Sequence, residues 1–202
     1  MQKSKGPINI DEILERVQKV SSLENLNMII NDHDLDSAIK SVEAKYPKVN
    51  LAIKQDDVAQ LIQSGILNKD HTLNESAISQ FNTLSRLLLA VLWKNGHFYR
   101  VKHLVDGITE DIKSESEQGL IFRQFGRSLC QLQEPIIDQH VLRAFKSFSA
   151  RKDVNELNEE NLMEEYRHWF KTKIFNISEA DASDFKYKLD KILFITGKAL
   201  KR

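Results

Sequence analysis

Cysteine, proline and glycine are scarce in this chain, and each scarcity removes a class of architecture. A single cysteine among 202 residues, Cys130, has no partner for an internal disulfide. It sits in an apolar run, where it reads as a small buried hydrophobe in a reducing compartment. Three prolines and 7 glycines supply too few turn residues for an all-β sandwich of many short strands. Net charge is missing as well. Lys+Arg and Asp+Glu balance at 29 each, which predicts neither a chain that wraps nucleic acid through bulk charge nor one held broadly to anionic lipid. Any nucleic-acid contact therefore has to use a local patch. No run reaches the ~20 apolar residues of a membrane span, and the lysines near Met1 have no apolar segment behind them long enough for a secretory leader. The expected setting is cytoplasmic, with no membrane partner. Nucleophile-elbow, P-loop, dinucleotide and zinc-ligand patterns are all lacking, so no metal and no cofactor is expected.

What is present is helical periodicity. Ile10, Ile13, Leu14, Val17 and Val20 recur at helical spacing behind Asp11 and Glu12, predicting an amphipathic helix over 10–26. A second helix is expected from Asp34 or Asp36 to Tyr46, where Pro47 stops it. An extended connector should follow over 48–54, then a short helix from Val58 to Gln63 that Gly65 ends. Asn74 is the expected N-cap of the longest apolar helix, running through Ile78, Phe81, Leu84, Leu87, Leu88, Val91 and Leu92 to Trp93. Apolar on all sides near its end, that segment reads as the central core helix. Further helices are expected over Phe98–Ile108, Leu120–Leu132, Asp138–Phe148, Asn161–Phe175 and Glu179–Leu200, the last opened by a capping box at Ser178. The fold class is all-α, a compact multi-helix orthogonal bundle. Its expected organisation is a helical N-terminal extension over 1–50 and a core domain over 51–202, or one domain throughout.

One segment carries chemical content: Pro135-Ile136-Ile137-Asp138-Gln139-His140-Val141-Leu142-Arg143. Asp138 stands where a helix begins, and one reading is local. Its carboxylate caps the first turn by accepting orphan backbone N–H groups, worth about 1 kcal/mol. The other reading comes from resemblance, since Asp138-x-His140-Val141-x-Arg143 resembles the D-x-H-V-x-R segment of the helix-hairpin-helix DNA glycosylases. The resemblance implies a helix-hairpin-helix fold and a catalytic carboxylate at Asp138. That group would stabilise the positive charge that grows on a deoxyribose as its N-glycosidic bond breaks, or orient the attacking water. It also implies a double-stranded DNA partner and a base flipped into a pocket, for whose wall Trp93, Phe98, Tyr99 and Phe122 are the aromatic candidates.

The match covers at most about a tenth of the chain, and the family's L-P-G-V-G hairpin is lacking. The nearest equivalent is Gln118-Gly119-Leu120 followed by Phe125-Gly126-Arg127. No lysine lies between Lys113 and Asp138, which implies a monofunctional, lyase-free member. Gly126 and Arg127 are candidates to replace the hairpin's phosphate contact, through close backbone approach and a bidentate guanidinium. A basic and aromatic stretch from Trp93 to His103, with Lys94, His97 and Arg100, is a candidate DNA surface together with His140 and Arg143, and equally an ordinary solvated helix turn. The alternative function is a non-catalytic helical interaction or regulatory module, of the kind a phage-defence or stress system uses. There Asp138 is only a cap, and the N-terminal helix docks a partner protein or a second copy through Ile10, Ile13, Leu14 and Val17. Glu165-x-x-His168 and the acidic run from Asp32 to Asp36 lack the companions a metal site needs.

Overall fold

The computed structural model describes residues 9–49, 51–110, 119–149 and 158–200. Among these residues the protein is all-helical, with ten α-helices and one 3₁₀ turn. A lone antiparallel bridge joins Leu67 to Leu73. No helix of the described residues is long and apolar enough to cross a membrane.

The chain divides into two compact units, one formed by Met1–Val49 with Pro135–Arg202 and the other by Asn50–Glu134. The first unit contains α1 (Ile10–Gln18), α2 (Leu23–Asp32), α3 (Asp36–Glu43), α8 (Gln139–Phe148), α9 (Glu159–Ile174) and α10 (Glu179–Ala199). The second contains α4 (Gln55–Gln63), the 3₁₀ turn (Glu75–Gln80), α5 (Thr83–Lys94), α6 (Arg100–Thr109) and α7 (Leu120–Cys130). Residues 9–49 belong to the same unit as the C-terminal helices.

Side-chain caps set most of the helix starts. Asn9, Ser22, Asn158 and Ser178 each accept a backbone N–H three residues on, at 2.9–3.3 Å. Two expected helices are broken by such caps. The segment expected as one helix over 10–26 turns at Val20 and restarts under the Ser22 cap as α2. Asn74 caps only the 3₁₀ turn, and Asn82 recaps the chain at Ser85 N (2.8 Å) to begin α5.

In the first unit α10 is the central helix, packed on α1, α2, α3, α8 and α9. Its residues Phe185, Leu189, Ile192 and Leu193 are fully buried, and so are Ile13, Leu26, Ile29, Tyr166 and Phe170 from its neighbours. Phe145, Phe148, Tyr166 and Trp169 add a ring cluster with centroids 5.3–5.8 Å apart. Gly197 allows α10 to touch α8, since a Cβ there would lie 1.8 Å from the His140 carbonyl oxygen. The apolar face of α1, expected as a docking ligand, is consumed by this packing. Ile13, Leu14 and Val17 are buried because α2, α8 and α10 supply matching apolar surfaces.

In the second unit α6 and α7 form the closest helix pair. Gly107 and Gly126 stand at the crossing, where added Cβ atoms would fall 1.9 Å from Arg123 O and 2.1 Å from Leu104 O. The fully buried cluster here is Val58, Leu67, Val105 and Ile108. The expectation that α5 is the core helix is overturned. Leu84, Leu87, Leu88 and Val91 are 60–65% exposed and Trp93 is 73% exposed. Only Ser85, Leu89 and Leu92 are half-buried on this helix. Those three recur every three to four residues, so one narrow strip of α5 is partly covered while its more apolar arc lies outside.

Candidate functional site around Asp138

Asp138 has extended backbone (φ −140°, ψ 173°) and caps α8. Its Oδ1 accepts both the His140 N–H (2.7 Å) and the Val141 N–H (2.8 Å). The cap therefore holds the carboxylate through one oxygen and leaves Oδ2 outside it. The side chain is half-buried.

Its helix neighbours are held by packing on α10. Arg143 donates from Nη1 to the Gly197 carbonyl (2.9 Å) and lies 3.1 Å from His140 Nδ1. The His140 ring meets Phe194 edge-on at 5.0 Å between centroids.

A second acid belongs to this neighbourhood. Asp190 of α10 has a side chain only 12% exposed, with Lys191 Nζ at 3.5 Å from its Oδ2. Burial pushes its carboxyl up to about 6. Lys191 pulls it back, the negative charge of Asp138 adds to the rise, and Lys186 opposes it. The Tyr166 phenol is raised well above its ordinary range, by burial first and then by the charges of Asp190 and Asp138. Lys186 and Lys191 are themselves buried, and the Lys191 ammonium lies over the rings of Tyr187 (5.2 Å) and Tyr46 (5.9 Å). Asp138 and Asp190 thus sit near enough for the charge of one to act on the other, the first holding the start of α8 and the second buried on α10 with its carboxyl raised to about 6.

The remaining sequence candidates all lie in the second unit. Gly126 is spent on the crossing with α6, so its missing side chain already has a packing role. Arg127 is half-buried in the last turn of α7. Trp93 and Lys94 are exposed at the end of α5 and His97 is half-buried in the turn that follows. Arg100 begins α6 with its guanidinium 4.6 Å from the Phe122 ring and 5.7 Å from the Tyr99 ring, so these three side chains come together. Phe98 is half-buried. Of the hairpin equivalent, Gln118 lies outside the described residues, while Gly119 precedes α7 in a left-handed conformation (φ 88°).

Sequence reasoning missed Asp190, which sits mid-helix with no motif around it. It also missed a buried cluster in the second unit. His71 Nδ1 lies 2.8 Å from Asp106 Oδ1, and Lys102 Nζ reaches both Asp106 oxygens at 3.3 Å and the Asp70 carbonyl at 3.0 Å. His71 adopts a left-handed backbone (φ 66°) to make this contact. It ties the loop before the 3₁₀ turn to α6. The sequence separation of 35 between His71 and Asp106 hides the pair from any local spacing rule. Among the described residues no three His, Cys, Asp or Glu side chains gather as a metal site.

No protein-family model, curated protein or solved structure matches the chain.

Proposed function

We propose that the chain is a DNA-glycosylase-like hydrolase of the helix-hairpin-helix type that cleaves the N-glycosidic bond of a flipped-out base. The observation that carries this reading is the Asp138 carboxylate, pinned through Oδ1 alone beside an Asp190 that holds a proton up to about pH 6. Asp138 then stabilises the cationic sugar. The C1′–N bond breaks with its electron pair leaving on the base. The base takes up a proton, with Asp190 as donor, and water adding to C1′ returns one. The gap in lysines between Lys113 and Asp138 makes this a monofunctional reaction, without a covalent imine. Arg100, Lys94 and His97 supply a phosphate-contacting surface, with Trp93 and Tyr99 as exposed aromatic faces.

Base release from duplexes carrying a panel of damaged bases tests the reading. Asp138→Asn should keep the fold and salt-dependent DNA binding while losing base release at least a hundredfold. Activity of the wild type should fall as pH rises through about 6, as Asp190 gives up its proton. A wild-type protein with no salt-dependent DNA binding and no abasic product from any of the duplexes would sink it. One observation favours a second reading, a non-catalytic helical interaction or regulatory module, and that is the exposed leucines of α5. Under it Asp138 is a cap alone.

A further inference from the structure

We infer that α5 is a self-association surface, on which a second copy of this chain packs its own α5 in antiparallel orientation. The inference does not rest on the glycosylase reading, and it uses the same exposed leucines that favour the interaction-module reading.

At 3.6 residues per turn, Leu84, Leu87, Leu88 and Val91 fall within an arc of about 100°, and all four are at least 60% exposed. Their spacing is symmetric about the midpoint between Leu87 and Leu88. A two-fold axis through that point sets Leu84 against Val91 of the second copy and Leu87 against its Leu88. The same four side chains form both halves of the seam, as an isologous contact requires, and the i, i+3, i+4, i+7 pattern is that of helix-on-helix recognition. The stripe carries no charge. Arg86 points about 150° away from its centre, and the two Lys94 ammonium groups fall about 20 Å apart along the paired helices. No like charges meet.

The flanks argue for a second copy over an anionic lipid surface or an acidic groove. Those occupants would call for cations on both sides of the stripe. Here one side is the face carrying the half-buried Ser85, Leu89 and Leu92, which leaves Lys94 and Arg86 on the other side only. The stripe offers on the order of 500 Å² per copy, so the pair buries about 1,000 Å², the lower edge of a specific interface. A weak, concentration-dependent dimer follows, with a dissociation constant of roughly 10–100 µM.

Sedimentation of the full chain tests this. The wild type should pass from monomer to dimer across that range, and the double variant Leu87→Glu/Leu88→Glu should remain monomeric at ten times higher concentration with an unchanged helical circular-dichroism spectrum. A cysteine experiment keeps the proposal falsifiable if that variant fails to fold. In a Cys130→Ser background, a mixture of Leu84→Cys and Val91→Cys chains should form a disulfide-linked dimer, and Leu84→Cys alone should not. Wild type that stays monomeric at about 1 mM overturns the proposal. So does cross-linking of Leu84→Cys with itself in preference to Val91→Cys. Monomeric wild type that floats with phosphatidylserine vesicles, and loses this through the double variant, overturns it in favour of a lipid surface.

Discussion

The two units of this chain differ in how they dispose of apolar surface. The unit built on α10 fully buries Tyr166, Phe170, Phe185, Ile13, Leu26, Ile29 and more. The unit between residues 50 and 134 has a buried cluster of four, Val58, Leu67, Val105 and Ile108, and leaves four aliphatic side chains of α5 in solvent. Five helices around α10 bury most of that unit's apolar side chains, although Phe175 stays 85% exposed. The second unit has four α-helices, and its tight α6–α7 crossing at Gly107 and Gly126 does not involve α5.

Three substitutions test that contrast. The largest effect belongs to the first unit, where Phe185→Ala empties a fully enclosed position on α10 and should cost about 3–5 kcal/mol in chemical denaturation. A loss below about 1 kcal/mol would show that this core is not close-packed and would remove the distinction.

Next comes the buried acid of the same unit. The Asp190 carboxyl is raised from 3.8 to about 6, so the folded state binds a proton that the unfolded state has released. The associated stability is complete below about pH 4 and is lost as pH rises through about 6, a difference of about 2–3 kcal/mol by pH 8. Asp190→Asn should flatten this part of the stability profile and raise the pH 8 midpoint above that of the wild type. An unchanged slope between pH 4 and 8 would place the proton elsewhere.

The smallest effect is expected on α5. Leu88→Ser, measured at a concentration where the chain is monomeric, should alter stability by no more than about 0.5 kcal/mol. A loss comparable to that of Phe185→Ala would mean that α5 is a core helix after all.

Much of the helical layout could be read from the chain because it is written locally. Periodic apolar positions and the caps at Ser178 and Asp138 place α8 and α10 within a residue or two of where they lie. What could not be read was which apolar face finds a partner. α1 and α5 both carry stripes at helical spacing, yet the face of α1 is buried and that of α5 is open. Nothing within either helix distinguishes them, because the answer depends on whether a helix distant in sequence offers a complementary surface. The same limit applies to the site. Asp138 announces itself by standing before an apolar helix, while Asp190 becomes chemically unusual only through burial and through the charge of an acid that caps a different helix.

The interrupted first unit has a consequence for synthesis. Hydrogen bonds from Lys173 to the Gln18 carbonyl and from Lys188 to Asn27 close over 155 and 161 residues. Helices α1 to α3 leave the ribosome well before α8 to α10 exist, and at roughly 5–20 residues per second the wait lasts several seconds. Through that interval the segment α4 to α7 can already assemble, while Ile13, Leu14 and Val17 stay uncovered on a nascent strip.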